Sequence, residues 1–474
     1  MNPALRVFKN SSALTISVLL ERGISFFLPW YVARILGREA WGDYSTAYTF
    51  VLIGATIAPW GLINLVPRVI ARDPKEAGNA FINSSFIGLV VGSLTTIVML
   101  LVTHQLNYSA HVESLIYLGL VTVLLPQTEA ILFETVIQGL ERMEWIVMVR
   151  LPATILRILS SIFLLSIGFP IHSLFIILSV YYILNCIFYF FIFKRFVPQF
   201  HLRPSLQHIR LLFIQSLPFF IIVSTSETFK QIDRIFLSKL WDTDAVGIYA
   251  TGVMFTQLLY MIAPAVMGAI FPGLARAYTN SPTRFAYLVS WLFKFLLILT
   301  FPIMLFVVAF ADKMILLVFG DAYTPSIIVL QITALGVMPS FLSRLLFRAI
   351  LASDNERLAV RATLIANLAN LLLNIILIPR YGVLGASISA VGTIFVNTIQ
   401  NLWYVTRFTK FDFLHALIVP GLCTAVSGFL FVLLMQYSLP LAFIVSIITF
   451  AIALIASKTV SPEDFTNLSL VKSP

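Results

Sequence analysis

Acidic residues, cysteine and histidine are scarce in this chain, and so is charge of either sign. Asp and Glu together number 21 in 474 residues, and all charged residues make up 11%. Soluble domains carry roughly a quarter, so no sizeable soluble body is expected. The 2 cysteines, Cys186 and Cys423, fall inside apolar stretches, which excludes a disulfide framework and a cysteine-rich metal motif. The 6 histidines (His104, His111, His172, His201, His208, His415) sit mostly at the ends of apolar stretches or in connections. None pair at the HxxxH-type spacing that sets two metal ligands on one helix face. No GxxxxGK[ST] occurs, so the phosphate cradle for ATP-driven pumping is missing. Short connections on one side leave no room for the acid/base pairs of a membrane glycosyltransferase. No catalytic residue, metal or cofactor is expected, and the chain reads as a non-enzyme. Nor does the amino terminus show a cleavable-signal pattern: the apolar stretch after Arg6 and Lys9 is too long and contains Glu21 and Arg22.

What the chain has in abundance is apolar surface, with 59% hydrophobic residues and a mean hydropathy of +0.96. Some fourteen mostly apolar stretches run from about 11–35 to about 438–457. Each is near the ~20 residues that span a bilayer as a helix. Basic residues alternate between their connections. One set holds Arg6, Lys9, Arg68, Arg72, Lys75, Arg142, Lys194, Arg195, Arg203, Arg210, Arg276, Arg284, Arg348, Arg357, Arg361, Arg407, Lys410, Lys458 and Lys472, which is nineteen. The other holds only Arg34, Arg38, Lys239, Lys313 and Arg380, which is five. Such a split follows the positive-inside rule and places both termini in the cytoplasm of a multi-pass inner-membrane protein. The net charge of +10 thereby reads as topology and attraction to anionic lipid, not nucleic-acid binding.

An internal repeat organises the spans. At an offset of 205 residues, Ala40, Gly42, Tyr44, Thr46, Phe50, Ile57, Ala58, Pro59 and Pro67 reappear as Ala245, Gly247, Tyr249, Thr251, Phe255, Ile262, Ala263, Pro264 and Pro272. Glycines and prolines have backbone roles, so their recurrence is not explained by oily composition. The offset carries span 1 onto span 7, an even step that preserves orientation and gives parallel repeats. The expected fold is an all-α polytopic membrane protein of about 14 transmembrane helices. Two parallel six-helix bundles, at 1–200 and 201–410, would face a central cleft, with two further helices and a short cytoplasmic tail at 411–474. The basic stretch from Lys194 to Arg210 would link the bundles.

Ionisable residues inside spans usually face a cavity or pair with one another. Arg22, Arg157, Lys230, Arg234, Lys294 and Arg344 are the candidate cations for an anionic substrate in that cleft. Glu21, Glu129, Glu134, Glu227 and Asp233 are the carboxylates that would couple to an ion or pair with those cations. Glu227, Lys230 and Arg234 follow i, i+3, i+7 and would share one face of a continuous span 7 at 211–238. Pairing within the membrane, Glu227 with Lys230 and Lys230 with Asp233, is the plainer alternative. Asn367, Asn370 and Asn374, and likewise Asn397, Gln400 and Asn401, are expected to bond between helices, with phosphate or sugar contacts as the other use.

Several segments resemble a known family. Ala33-Arg34-Ile35-Leu36-Gly37-Arg38-Glu39-Ala40-Trp41-Gly42-Asp43-Tyr44 is similar to the ARxLGxxxxGxY opening of bacterial polysaccharide and O-antigen-type lipid-linked oligosaccharide flippases. These belong to the multidrug/oligosaccharidyl-lipid/polysaccharide exporter superfamily and are MATE-like. Asp233-Arg234-Ile235 with Val246-Gly247-Ile248-Tyr249, Phe271-Pro272, Phe319-Gly320 with Tyr323, Asn374 before Ile378-Pro379-Arg380-Tyr381-Gly382, and Gly385-Ala386 continue the likeness in order. The resemblance implies a V-shaped fourteen-helix flippase that moves polyprenyl-diphosphate-linked sugar units to the outer leaflet for cell-surface polysaccharide biosynthesis, including lipopolysaccharide. Its partners would be the lipid-linked glycan, membrane lipids, and a polysaccharide polymerase with glycosyltransferases, with no nucleic acid. A MATE-like cation-coupled exporter of small molecules is the alternative, and a membrane scaffold the non-transport reading.

Topology is directly testable. Reporters fused after Pro474 or within 194–210 are expected to report cytoplasm, and reporters at Asn107 or Asp321 the outside. One reversal breaks the parallel-repeat arrangement.

Overall fold

Long apolar runs with satisfied internal backbone bonds leave helices as the natural solution in lipid, and the computed structural model is built of them. It describes residues 20, 21, 23–197, 203–409 and 413–457, and among these every regular element is helical. The described residues contain 11 helical runs long and apolar enough to cross a membrane. One of them, Glu356–Phe408, is two spans joined at Gly382, and Leu441–Ala456 is a shorter apolar helix. With the start of span 1 outside the described residues, this agrees with about fourteen helices. Arg22 also lies outside the described residues.

Two compact units divide the chain. The first comprises Met1–Thr251 with Val318–Tyr323 and Ile378–Val383. Its core gathers Leu62, Val66, Ile70, Phe81, Leu132, Phe133, Tyr189 and Phe193 from four helices. The second comprises Gly252–Leu317, Thr324–Leu377 and Leu384–Pro474, with a core of Phe285, Val289, Leu296, Phe341, Leu345 and Ala349. There Phe310, Phe431 and Ala442 seat the last two helices on Pro282–Phe319. Outward faces of the helices carry large apolar side chains such as Leu94, Phe163, Phe191 and Phe429, as lipid contact requires.

The 205-residue offset recurs in the backbone. Phe26 N–H donates to the Gly23 carbonyl at 3.3 Å, and Gln231 N–H to the Thr228 carbonyl at 3.0 Å. Both mark an interrupted helix. Span 7 is therefore not one helix: Leu206–Phe229 ends before Ile232–Leu240 begins. This corrects the one-face reading of Glu227, Lys230 and Arg234, because the turn at 230–231 breaks their common register. The second span of each copy is also interrupted, between Gly37–Ile57 and Leu62–Arg72, and between Thr243–Tyr260 and Ile262–Asn280. In the first copy, Trp60 and Gly61 adopt left-handed backbone, and the Trp60 ring stacks 3.9 Å from Phe220 and 4.4 Å from Phe213. Several of the expected connections turn out to be helical, Arg68, Arg72 and Lys313 among them.

The paired Gly-x-Tyr corners meet. A Cβ on Gly42 would fall 1.7 Å from the Thr243 carbonyl oxygen, and one on Gly247 2.3 Å from the Arg38 carbonyl oxygen. Two helix backbones thus cross with no side chain between them, both within the first unit. Gly42→Ala is expected to force the helices apart and cost about 1–3 kcal/mol, and Gly42→Leu or Gly247→Leu more. The check is melting temperature and yield of purified protein. Unchanged folding with lost activity would make the corners part of the mechanism.

Candidate functional site

Around the glycine crossing, segments distant in sequence close into one cluster. Arg38 Nε pairs with Asp244 at 3.2 Å. Trp30 Nε1 and an Arg34 Nη1 both donate to the Val318 carbonyl, at 2.8 and 2.6 Å. The Tyr323 hydroxyl donates to the Ala33 carbonyl at 2.8 Å, and Trp241 Nε1 to the Ile378 carbonyl at 2.9 Å. The Trp241 ring also lies against Gly382, whose φ of 53° turns the hairpin within Glu356–Phe408. Tyr108 and Ser238 hydroxyls are 2.7 Å apart, and burial pushes the Tyr108 phenol up to about 12. Lys239 sits 3.9 Å over the Tyr108 ring, and partial burial lowers its ammonium pKa. These bonds explain why 318–323 and 378–383 belong to the first unit.

Within that unit, the membrane-embedded charges sort into those with an ion pair and those without one among the described residues. Arg150 is the paired one: its Nε lies 2.8 Å from Glu21 and its Nη1 3.6 Å from Glu134. Glu134 also accepts from the Tyr189 hydroxyl at 2.8 Å. Two turns on, Arg157 shares a helix face with Arg150 but reaches no carboxylate among the described residues. It lies 5.3 Å over the Tyr181 ring and donates to Ser25 Oγ at 3.4 Å, while its buried Nε has no acceptor. Arg234 is likewise without an ion pair among the described residues; its Nη1 reaches only Gln231 Oε1, at 3.3 Å. Tyr48 lies within electrostatic reach of both Arg157 and Arg234. Asp233, next to Arg234, accepts from the Tyr249 hydroxyl at 2.9 Å. Glu129 accepts from Ser85 Oγ at 2.5 Å. Lys230 is exposed and pairs with Glu227 one turn away.

The other candidate cations belong to the second unit. Lys294 is half-buried on Pro282–Phe319, and Arg344 is exposed on Val337–Ala352 with Tyr260 and Arg348 near it. Asn370 Nδ2 bonds Thr393 Oγ1 at 3.3 Å, and Asn401 Nδ2 bonds Ser343 Oγ at 3.1 Å, so these amides do join helices. Among the described residues no three His, Cys, Asp or Glu side chains group to hold a metal.

Sequence spacing missed the role of Arg150, because its partners lie on other helices and no local pattern connects them. It missed Tyr48 and Tyr181 for the same reason.

A multi-pass helical membrane protein whose spans hold guanidinium groups with no ion pair among the described residues has the makings of a carrier for anionic molecules. Residues 7–278 match the family model described as "Polysaccharide biosynthesis protein", and residues 177–461 the model described as "Lipid II flippase MurJ". The chain belongs to the polysaccharide biosynthesis protein family. A curated relative is the "Probable low-salt glycan biosynthesis flippase Agl15" of Haloferax volcanii, 24% identical over 421 residues, covering 88% of this chain and 87% of the relative. Among solved structures, "Lipid II flippase MurJ, inward closed conformation" superposes with a TM-score of 0.77 at 16% identity, over 97% of this chain and 99% of that one. An inward-facing multidrug resistance MATE family transporter gives 0.68 at 15% identity, over 83% and 97%. At such identities the structures establish a shared fold.

Arg150→Ala leaves Glu21 and Glu134 without their cation. Arg150 is about a third exposed, which moderates the cost to about 1–3 kcal/mol. Adding Glu134→Gln should recover part of it. Thermal melting of the single and double variants measures that coupling, and strictly additive losses would show that Arg150 and Glu134 act independently.

Proposed function

We propose that the chain moves lipid-linked oligosaccharide units, carried on a polyprenyl diphosphate, from the inner to the outer leaflet by alternating access, without covalent chemistry. The observation that carries this reading is the pair of guanidinium groups, Arg157 and Arg234, that form no ion pair among the described residues inside the spans of one unit. Of the nearby carboxylates, Glu21 and Glu134 share Arg150, and Asp233, which lies within electrostatic reach of Arg234, accepts from Tyr249. A diphosphate brings about two negative charges and planar, bidentate acceptor geometry that suits Arg. Family membership and the glycan-flippase relative support the same substrate class.

In this reading two bundles, 1–200 and 201–410, face one cleft, and Lys294 and Arg344 supply cations from the second side. Arg22 would add a further cation on span 1. The protein sits in the inner (cytoplasmic) membrane with both termini in the cytoplasm, and a polymerase and glycosyltransferases work beside it.

A buried charge-assisted contact is worth about 1.5–3 kcal/mol, so losing one weakens head-group binding roughly 10–150-fold. Arg157→Ala and Arg22→Ala are expected to fold normally yet leave lipid-linked oligosaccharide accumulating on the inner leaflet. Arg→Lys rescues in part, keeping the charge and losing the fork. Melting curves measured beside flipping in cells decide the matter: stable variants with full flipping remove these residues from the site.

A further inference from the structure

The helix Ala110–Gly139 carries two glutamates in opposite circumstances. Glu134 is answered by Arg150 and by the Tyr189 hydroxyl. Glu129 has no basic partner among the described residues. One of its oxygens accepts from Ser85 Oγ at 2.5 Å, while the other, Oε1, is enclosed and has no donor among the described residues. The groups around it are few. Ala77–Gln105 presents Ser85 and Gly88, where an added Cβ would lie 3.5 Å from Oε1. Ser173–Phe196 presents the Cys186 thiol, which is itself directed at the Pro126 carbonyl at 3.4 Å. Its own helix adds Glu134 little more than a turn away, which shares Arg150 with Glu21.

An ionised carboxylate inside a span needs several donors or a cation, and leaving an oxygen without either is costly. Glu129 lies ten residues from the end of a 30-residue helix, about 15 Å along its axis, where bulk water does not supply the missing bonds. One carboxylate and one hydroxyl are too few oxygens for a metal cation, which takes six or more when it is calcium or magnesium. They are enough for a proton.

We propose that Glu129 is a proton-binding site, loaded in this conformation and emptied in another, so that substrate movement is tied to proton movement. Loading forms a carboxyl O–H bond at the expense of a hydronium ion, leaving water; emptying is the reverse. The proton site rests on geometry alone, while its coupling to transport rests on the flippase reading above.

Glu129→Gln tests both parts, because glutamine keeps the shape and an acceptor for Ser85 but cannot titrate. The infrared spectrum of purified protein at pH 7 is expected to show a protonated-carboxyl carbonyl band that disappears in Glu129→Gln and persists in Glu134→Gln. The variant should melt at or above the wild-type temperature. An unchanged set of carboxyl bands, or a variant that melts well below wild type, means an ionised structural glutamate and overturns the proposal.

In proteoliposomes with a fluorescent polyprenyl-diphosphate sugar, a pH gradient of about one unit should change the wild-type flipping rate several-fold, up to the roughly tenfold it can supply. Glu129→Gln should flip at a rate indifferent to that gradient. A wild-type rate blind to pH, or one that answers to a sodium gradient at constant pH, overturns proton coupling. If neither protein flips the probe, the flippase reading fails, and the infrared result still decides whether Glu129 binds a proton.

Discussion

The crossing of two helix backbones at Gly42 and Gly247 is the constraint on which the first unit depends. With carbonyl oxygens where side chains would stand, the helices Gly37–Ile57 and Thr243–Tyr260 approach as closely as small-residue motifs permit in membranes. That approach brings Arg38 to Asp244 and sets the surrounding helix ends within bonding distance of Ala33 and Val318. Any Cβ at either glycine pushes on backbone, which cannot rotate out of the way. The chemistry of the cluster is therefore secondary to its geometry: the salt bridge and the carbonyl bonds form because the two backbones already touch.

This contact also explains the motifs. ARxLGxxxxGxY, the Val246–Tyr249 corner, Phe319-Gly320 with Tyr323, and Ile378–Gly382 are each uninformative alone. In space they are one object: Ala33 accepts from Tyr323, Gly42 meets Gly247, and Ile378 accepts from Trp241. Their order along the chain was legible because hydropathy marks the spans and the repeat fixes their pairing. Their convergence was not legible, since it is made by backbone carbonyls that every sequence carries.

The same division runs through the rest of the reading. Helix class, the number of spans and the repeat follow from long apolar runs and recurring glycines and prolines, which act locally. The interruption at 230–231 escaped notice because no proline or glycine stands at that turn; in a span rich in Ser, Thr and charge, backbone bonds are redistributed without a breaker residue, whereas the turn at 26 closes on Gly23. Charge pairing was harder still. Spacing identified Glu227 with Lys230, one turn apart on one helix. It could not separate Arg150 from Arg157, which share a helix face two turns apart. What separates them is the neighbour across the gap: Glu21 stands opposite Arg150, and one turn further along the same segment Ser25 stands opposite Arg157.

That one-turn difference has a chemical consequence. Arg150 faces two carboxylates, its Nε 2.8 Å from Glu21 and its Nη1 3.6 Å from Glu134, and is held as part of the scaffold. Arg157 lies over the Tyr181 ring, an interaction that uses the face of the guanidinium and leaves its edges available. Phosphate oxygens approach along those edges, in the plane of the fork. A cation held by an aromatic face keeps both its charge and its donors, whereas a cation held by a carboxylate surrenders both. For an exporter of small cations the useful feature would be the reverse, a carboxylate with free acceptors. Of the acids inside the spans around this site, Glu21 and Glu134 share Arg150, Asp233 accepts from Tyr249, and Glu129, whose Oε1 has no donor among the described residues, is neutral in the proton-loaded state proposed above. The balance of unspent valence in the first unit thus favours an anionic head group, and the tyrosine under Arg157 is what keeps that valence unspent.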